Sequence, residues 1–355
     1  MIKNGLYNVA IGLSGPLINL VTLPIAARAL GAKSFGEASI AISIVSYFTV
    51  VTSLGLAVYG TREIAQCKNE PGKMSKLFSE LLTLSILASI TGAILFSTLG
   101  MIAFKSQPEI ILIGAVSILI NSLNIEWLFY AHENYKTIAH RTLFSRVLGL
   151  AFVLALVNSS NDLAFYVAAI LLSQAIPFFL VFATFKKYTR ISMGEISLKR
   201  HISKIASFLG IRALSSIYTT LDVAIIGLVA SASGAGLYAI AVRVARIVTT
   251  IVCSLTAVSL PRAAEMIAQN SKEQYRSLLV NTFITSIFLS FSALVSAHVL
   301  SYIIIIYLGG PDYLDAIDTL RILTCMTPIV ASSNYIAMQI LYPQKKEKLV
   351  VLSLG

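Results

Sequence analysis

Long apolar stretches, about ten of them, constrain the fold of this 355-residue chain more than any other feature. Because a helix rises about 1.5 Å per residue, about 20 apolar residues cross a bilayer core of about 30 Å with every backbone hydrogen bond made inside the segment. A composition of 57% hydrophobic and 12% charged residues agrees with this reading. The sequence therefore predicts an all-α polytopic membrane protein with spans at residues 6–30, 37–60, 77–104, 109–131, 138–157, 163–185, 207–231, 237–260, 277–308 and 315–342.

Lysine and arginine residues concentrate in every second connection between these spans. Most of the 27 basic residues fall in that set of connections, to which we assign Lys136, Arg141 and Arg146. The positive-inside rule then places the N-terminus and the basic connections in the cytoplasm. The net charge of +11 lies next to anionic lipid, so we expect no nucleic-acid partner. Four basic residues lie inside predicted spans, namely Arg212, Arg243, Arg246 and Arg321.

The two halves of the chain share landmarks. Gly36 and Arg62 have counterparts at the same spacing in Gly236 and Arg262. This spacing predicts a duplication, with two parallel-repeat helical lobes around a central cavity. We expect an N-terminal six-helix lobe at residues 1–190, a cytoplasmic linker at 191–206 and a C-terminal lobe at 207–355. Because an eleventh apolar stretch only begins at Leu349, we expect the second lobe to be incomplete; a natural ten-span protein is the alternative.

Charged residues inside the seventh and eighth spans are the main candidates for a binding site. Arg212 and Asp222 share one face of the seventh span, and Arg243 and Arg246 share a stripe of the eighth. Counted from the short outer turn between the two spans, Asp222 lies about 13 Å deep, and the arginines of the eighth span about 10 and 15 Å deep. Two readings are open: a structural ion pair, or surplus positive charge that faces a cavity and binds an anionic group such as a phosphate.

Other polar residues in the spans leave further alternatives. The first span carries small and polar residues on one face, including Gly15, Asn19 and Thr22, which fit gating and close packing equally well. Arg28 either reaches the lipid headgroups or faces the cavity. Glu126 fits an interfacial position better than a coupling carboxylate, although both remain candidates.

The sequence indicates no enzymatic chemistry. It contains no P-loop, HExxH, GxSxG or dinucleotide-binding motif, so we expect no enzyme activity and no cofactor. Three cysteines, one in a connection and two in different spans, indicate neither a disulfide framework nor a metal site. Asp312, Asp315 and Asp318 follow a Gly-Gly-Pro turn and fit a helix start better than a metal site.

Several of these segments resemble one known family. They are Ala27–Gly36 (ARALGAKSFG), Gly55-Leu56, Arg62–Ala65 (REIA), Gly236–Tyr238 (GLY) and Leu320–Leu323 (LRIL), together with Asp222 and Tyr313. They are similar to the polysaccharide-unit flippases, the O-antigen and capsule branch of the multidrug, oligosaccharidyl-lipid and polysaccharide exporter superfamily. The resemblance covers nearly the whole chain.

The resemblance implies a bacterial inner-membrane transporter that moves an undecaprenyl-diphosphate-linked oligosaccharide to the periplasmic leaflet by alternating access. It implies membrane lipids and that glycan as partners, with a polymerase and a chain-length regulator in the same pathway. On this hypothesis Arg243 and Arg246 hold the diphosphate, Arg212 helps at the cytoplasmic entrance, and Asp222 tunes their charge or takes up a coupling ion.

Two rival functions remain. A cation-coupled drug or metabolite antiporter of the same superfamily is disfavoured by the excess of arginines over carboxylates in the seventh and eighth spans. A membrane-embedded polysaccharide polymerase or ligase generally needs a large outer loop, whereas the predicted outer connections are only about 4 to 6 residues long.

Overall fold

The computed structural model describes residues 2–104, 107–192, 196–344 and 346, apart from the side chains of some helical residues, and its regular structure there is entirely helical. The helices are α1 (Ile2–Thr52), α2 (Leu56–Cys67), α3 (Pro71–Ala103), α4 (Pro108–Ser122), α5 (Glu126–Ala131), α6 (Tyr135–Leu156), α7 (Leu163–Ser173), α8 (Ile176–Phe182), α9 (Lys199–Thr220), α10 (Asp222–Val229), α11 (Ala232–Ala268), α12 (Lys272–Val299), α13 (Ser301–Leu308), α14 (Ala316–Thr324), α15 (Thr327–Tyr335) and a π-helix at Ile336–Leu341.

Seven helical stretches among the described residues are long and apolar enough to cross a membrane. Many large apolar side chains on them are exposed, such as Leu17 at 60% and Ile94 at 58%, as expected of surfaces that face lipid. The predicted class, an all-α membrane protein, is confirmed; the count of ten spans remains a prediction.

The first two predicted spans, residues 6–30 and 37–60, are not separated by a loop, because α1 runs from Ile2 to Thr52 across the end of the first and the start of the second. Gly31 lies at φ 70°, a conformation that glycine adopts without strain, and it kinks α1 between the two spans. The predicted span at residues 37–60 is interrupted, because α1 ends at Thr52 and the backbone turns through Leu54 at φ 54° and Gly55 at φ 65°. Helix α2 is a separate helix that begins at Leu56 and ends at Cys67.

The chain divides into two compact units, residues 1–235 and 236–355. In the first unit, α1 packs against α4, α6, α7, α9 and α10. The Ser43 hydroxyl of α1 donates a hydrogen bond to the Thr220 carbonyl, which lies where α9 ends and α10 begins. The predicted lobe boundaries at residues 190 and 207 remain predictions.

In the second unit, α12 packs against α14 and α15. Buried Gln339 of the π-helix donates from Nε2 to the Thr256 carbonyl at 2.6 Å, and the Tyr275 hydroxyl donates to the Gln339 carbonyl at 2.8 Å. The Tyr335 hydroxyl donates to the Leu279 carbonyl at 2.8 Å. These bonds satisfy polar groups that would otherwise be costly inside an apolar bundle.

A buried ionic cluster lies at one end of α3 in the first unit. Glu80 has no solvent exposure, and its carboxylate accepts hydrogen bonds from the Ser197 amide at 3.0 Å and from the Arg200 guanidinium. His201 Nε2 lies 3.0 Å from the same carboxylate, and His201 Nδ1 lies 2.7 Å from the Tyr59 hydroxyl. The cluster therefore fixes the start of α9 to α2 and α3.

Replacement of Arg200 by Gln is expected to lower the free energy of unfolding by about 2 kcal/mol, because the buried Glu80 carboxylate loses a charged donor. The matched control is Lys73→Gln. It breaks a pair with Glu70 whose side chains are 73% and 53% exposed, so the expected loss is below about 1 kcal/mol. Denaturant unfolding in detergent micelles measures both values, and equal losses would contradict the analysis.

Candidate functional site

A polar cavity of about 510 Å³ lies inside the first unit, between α1, α6 and the two broken helices α4–α5 and α7–α8. Half of its lining side chains are amides or hydroxyls, and two are charged. The lining residues are Gly15, Ile18, Asn19, Thr22, Asn121, Asn124, Glu126, Thr142, Ser145, Arg146, Gly149, Leu150, Ile170, Ser173, Gln174 and Pro177. Such a surface can donate to and accept from a hydroxyl-rich ligand.

Both helix interruptions open onto this cavity. The chain leaves α4 after Ser122, and the Asn124 Oδ1 atom accepts the Glu126 amide N–H at 3.2 Å before α5 begins. Pro177, which lacks a backbone N–H, stands at the start of α8 just after α7 ends. Irregular backbone at membrane depth is tolerated where it lines a water-filled cavity, and discontinuous helices commonly form transporter sites.

Arg146 is the cation that faces the cavity. It lies near the middle of the 22-residue α6 and is half-buried. Its Nη1 atom donates to the Ile11 carbonyl at 2.6 Å and to the Ser14 hydroxyl. Gly15 packs against the guanidinium, and a Cβ there would lie 3.4 Å from its carbon atom, an ordinary contact distance. Both hydrogen-bond partners are neutral oxygens, and Glu126, which interacts with Arg146 electrostatically from the same cavity lining, forms no ion pair with it within 4 Å among the described residues.

Glu126 of the cavity lining forms an ion pair with Arg141 of α6. Arg141 Nη2 lies 4.0 Å from Glu126 Oε1. The Arg141 guanidinium is buried over the Phe129 ring at 4.8 Å, and its Nε and Nη1 atoms donate to the Thr137 and Pro177 carbonyls at 3.1 and 3.5 Å. The pair therefore joins the interruption of the α7–α8 helix to that of α4–α5. Glu126 lies in the cavity lining, and the interfacial position favoured from the sequence stays a prediction.

The assignment of Arg141 and Arg146 to a cytoplasmic connection is wrong, because both lie within α6. Their chemistry was missed because charge was counted along the chain and not by helix face. Thr142, Ser145, Arg146 and Gly149 stand at positions i, i+3, i+4 and i+7, which places them on one face of α6. That stripe is the signal that could have identified the cavity wall.

The other predicted site residues have different settings. Arg28 is exposed on α1, and Arg212 belongs to α9 but its side chain lies outside the described residues. Asp222 is half-buried at the start of α10, where its Oδ1 atom accepts the next amide N–H at 2.9 Å. Arg243 is half-buried and Arg246 exposed on α11. Asp222 belongs to the first unit and both α11 arginines to the second, so their pairing stays a prediction.

Broken helices around a polar cavity are an arrangement that many helical membrane transporters share. Among solved structures, the fold is similar to the lipid II flippase MurJ in an inward closed conformation, with a TM-score of 0.78 and 14% identity over 98% of this chain and 78% of that chain. It is also similar to an inward-facing multidrug resistance MATE transporter of the MOP superfamily, with a TM-score of 0.63 and 15% identity over 99% of this chain and 83% of that chain.

Residues 1–267 match the family model described as polysaccharide biosynthesis protein, and the chain belongs to that family. This confirms the family resemblance drawn from the sequence, and the chain shares its fold with the MurJ and MATE structures. No curated protein matches the chain by sequence.

Replacement of Arg141 by Met is expected to lower the free energy of unfolding by about 2–3 kcal/mol, because Glu126 loses its countercharge. Adding Glu126→Gln removes the stranded charge, and the double-mutant cycle should show a coupling of about 1–2 kcal/mol. Lys136→Met, at an exposed position of α6, is the control and should change stability by less than about 0.5 kcal/mol. Additive effects in micelle unfolding would refute the pairing.

Proposed function

We propose that this chain is a flippase that carries undecaprenyl-diphosphate-linked oligosaccharide repeat units across the bacterial inner membrane for O-antigen or capsule synthesis. The observation that carries the proposal is the polar cavity of the first unit, set in a chain of the polysaccharide biosynthesis family with a MurJ-like fold. The lipid II carried by MurJ is also a lipid-linked glycan, which supports the same class of cargo here.

The physical task is to move a polar glycan past hydrocarbon while the prenyl chain stays in lipid. Each hydroxyl that loses water needs a hydrogen-bond partner, because an unsatisfied buried polar group costs about 1–3 kcal/mol. Asn19 and Gln174 line the cavity with amides that can donate and accept, whereas Asn121 Nδ2 already donates to Ser117 and Asn124 Oδ1 already accepts the Glu126 amide. We assign the glycan to this surface and assign Arg146 to an oxyanion of the cargo.

The arginines of the second unit complete the proposal. Arg243 and Arg246 stand three residues apart on α11, so both can reach one ligand from one helix face. We propose that they hold the diphosphate, that Arg212 assists at the cytoplasmic entrance, and that Arg28 contacts the cargo from α1. Asp222 or Glu126 would tune this charge or take up a coupling ion.

The proposal includes alternating access between two parallel-repeat lobes, with the N-terminus in the cytoplasm. The kink at Gly31 and the interruption between α9 and α10 are two of the places where helices of the first unit are broken without a long loop. A carrier of this kind needs an internal site that meets each leaflet in turn, which the internal cavity can supply.

The double replacement Arg243→Ala with Arg246→Ala is expected to reduce surface glycan at least about tenfold in a flippase-null strain, because two charge-assisted contacts to the diphosphate are lost. Arg262→Ala, an exposed arginine on the same helix, is the control and should leave export intact. Surface glycan and inner-leaflet lipid-linked intermediates are measured at equal protein abundance. Wild-type export by the double variant would disprove the assignment.

Arg146→Gln is expected to reduce export about tenfold, whereas Arg146→Lys retains the charge and should lose less. The physical reason is that glutamine keeps a hydrogen-bonding side chain but carries no charge to balance an oxyanion at membrane depth. Equal export by the wild type and both variants, assayed in the same strain, would remove Arg146 from the site.

A cation-coupled antiporter is the second candidate, favoured by the MATE-like fold and by the Glu126 carboxylate in the cavity wall. It would drive uptake of a cationic dye into everted vesicles when the lumen is made acidic, and Glu126→Gln would abolish that uptake. Complementation of a flippase-null strain without such dye uptake would decide for the flippase.

A further inference from the structure

The connector, defined here as described residues 186–192 and 196–204, follows α8 and includes the first residues of α9. Hydrogen bonds hold it along α3 on its polar side, namely the Thr189 hydroxyl with the Ser75 hydroxyl at 3.3 Å, the Ser192 amide with the Ser79 hydroxyl at 2.7 Å, and the Ser197 amide with the Glu80 carboxylate at 3.0 Å. These three bonds, spread over about one and a half turns of α3, hold the connector in one orientation.

In the connector some polar side chains are buried and several apolar ones are exposed, the reverse of what is expected for a segment surrounded by water. Polar Thr189 and His201 are 5% and 2% exposed, whereas Ile191, Ile196 and Ile202 are 50%, 45% and 56% exposed. One exposed isoleucine is ordinary on a protein surface. Three within a short segment, beside buried polar residues, indicate an apolar neighbour on the outer side.

The charges around the isoleucines indicate which neighbour this is. The exposed cations of the connector are Lys186, Lys187, Arg190, Lys199, Arg200 and Lys204. Only Arg200 and Lys204 have recorded acidic partners among the described residues, Glu80 and Glu63. Isoleucines mixed with lysines and arginines are typical of a segment that lies in the headgroup region of an anionic bilayer.

The connector also lies close to a lipid-facing surface. It begins four residues after α8 ends, and Phe179 and Phe182 of α8 are 59% and 41% exposed on a predicted span. The exposed cations Lys186, Lys187 and Arg190 lie between Phe182 and Ile191, as expected where a lipid-facing span passes into the headgroup region.

We propose that Ile191, Ile196 and Ile202, with Lys186, Lys187 and Arg190, form a docking face for anionic phospholipids at the bilayer surface beside α3. The Glu80 cluster holds the polar side of the connector against the protein, so that the isoleucines are presented to lipid. Docking through this face anchors the start of α9, which begins within the connector at Lys199.

The experiment uses the full chain with its three cysteines replaced by serine and a fluorophore attached through Ile196→Cys. The protein is reconstituted into vesicles of phosphatidylcholine alone or mixed with phosphatidylglycerol, each containing a lipid with a nitroxide quencher near its headgroup. The matched control carries the label through Asn69→Cys, in the exposed polar turn between α2 and α3.

The label at residue 196 should be quenched in both lipids, and phosphatidylglycerol should raise the quenching about twofold, an increase that about 1 M salt abolishes by screening. The triple variant Lys186→Gln, Lys187→Gln, Arg190→Gln should lose that increase and keep the quenching in neutral lipid. Quenching at residue 196 no greater than at residue 69 would overturn the docking face. Quenching equal in the two lipids would overturn the anionic partner.

Discussion

The cost of holding an ionised group at membrane depth governs the interior of the first unit. A charge at the centre of a spanning helix costs about 2.5–3.5 kcal/mol on the scale derived from membrane-insertion experiments. Arg146 occupies such a position in α6, and the polar cavity beside it is the environment that makes this position tolerable. The interruptions of α4–α5 and α7–α8 follow from the same requirement, because their backbone groups also need polar surroundings.

The first unit contains two contrasting solutions for a charged side chain. Glu80 is fully buried and surrounded by donors from Ser197, Arg200 and His201, which is the pattern of a group that holds structure together. Arg146 instead contacts two neutral oxygens and borders an open polar volume. Arg146 interacts electrostatically with Glu126 but forms no ion pair within 4 Å among the described residues, and that difference separates the structural ion Glu80 from the candidate binding ion Arg146.

The fold class could be predicted from the sequence because apolar length and basic connections are properties of contiguous segments. The family could be recognised from short motifs such as Ala27–Gly36. The site of the first unit could not, because the burial of Arg141 depends on Phe129 and the Pro177 carbonyl, which are distant in the chain. The interruption at Leu54 and Gly55 was also missed, because hydropathy does not register a change of backbone direction.

The shared fold and the unshared site have different consequences for function. MurJ and MATE structures resemble this chain at 14% and 15% identity, so the helical scaffold tolerates almost complete replacement of its side chains while keeping its path. Discrimination between cargoes must then come from the few polar groups that the scaffold turns inward. In this chain those groups in the first unit are mostly amides and hydroxyls, with one guanidinium, Arg146, and one carboxylate, Glu126, a set that has the chemistry to bond the hydroxyls of a glycan together with an oxyanion.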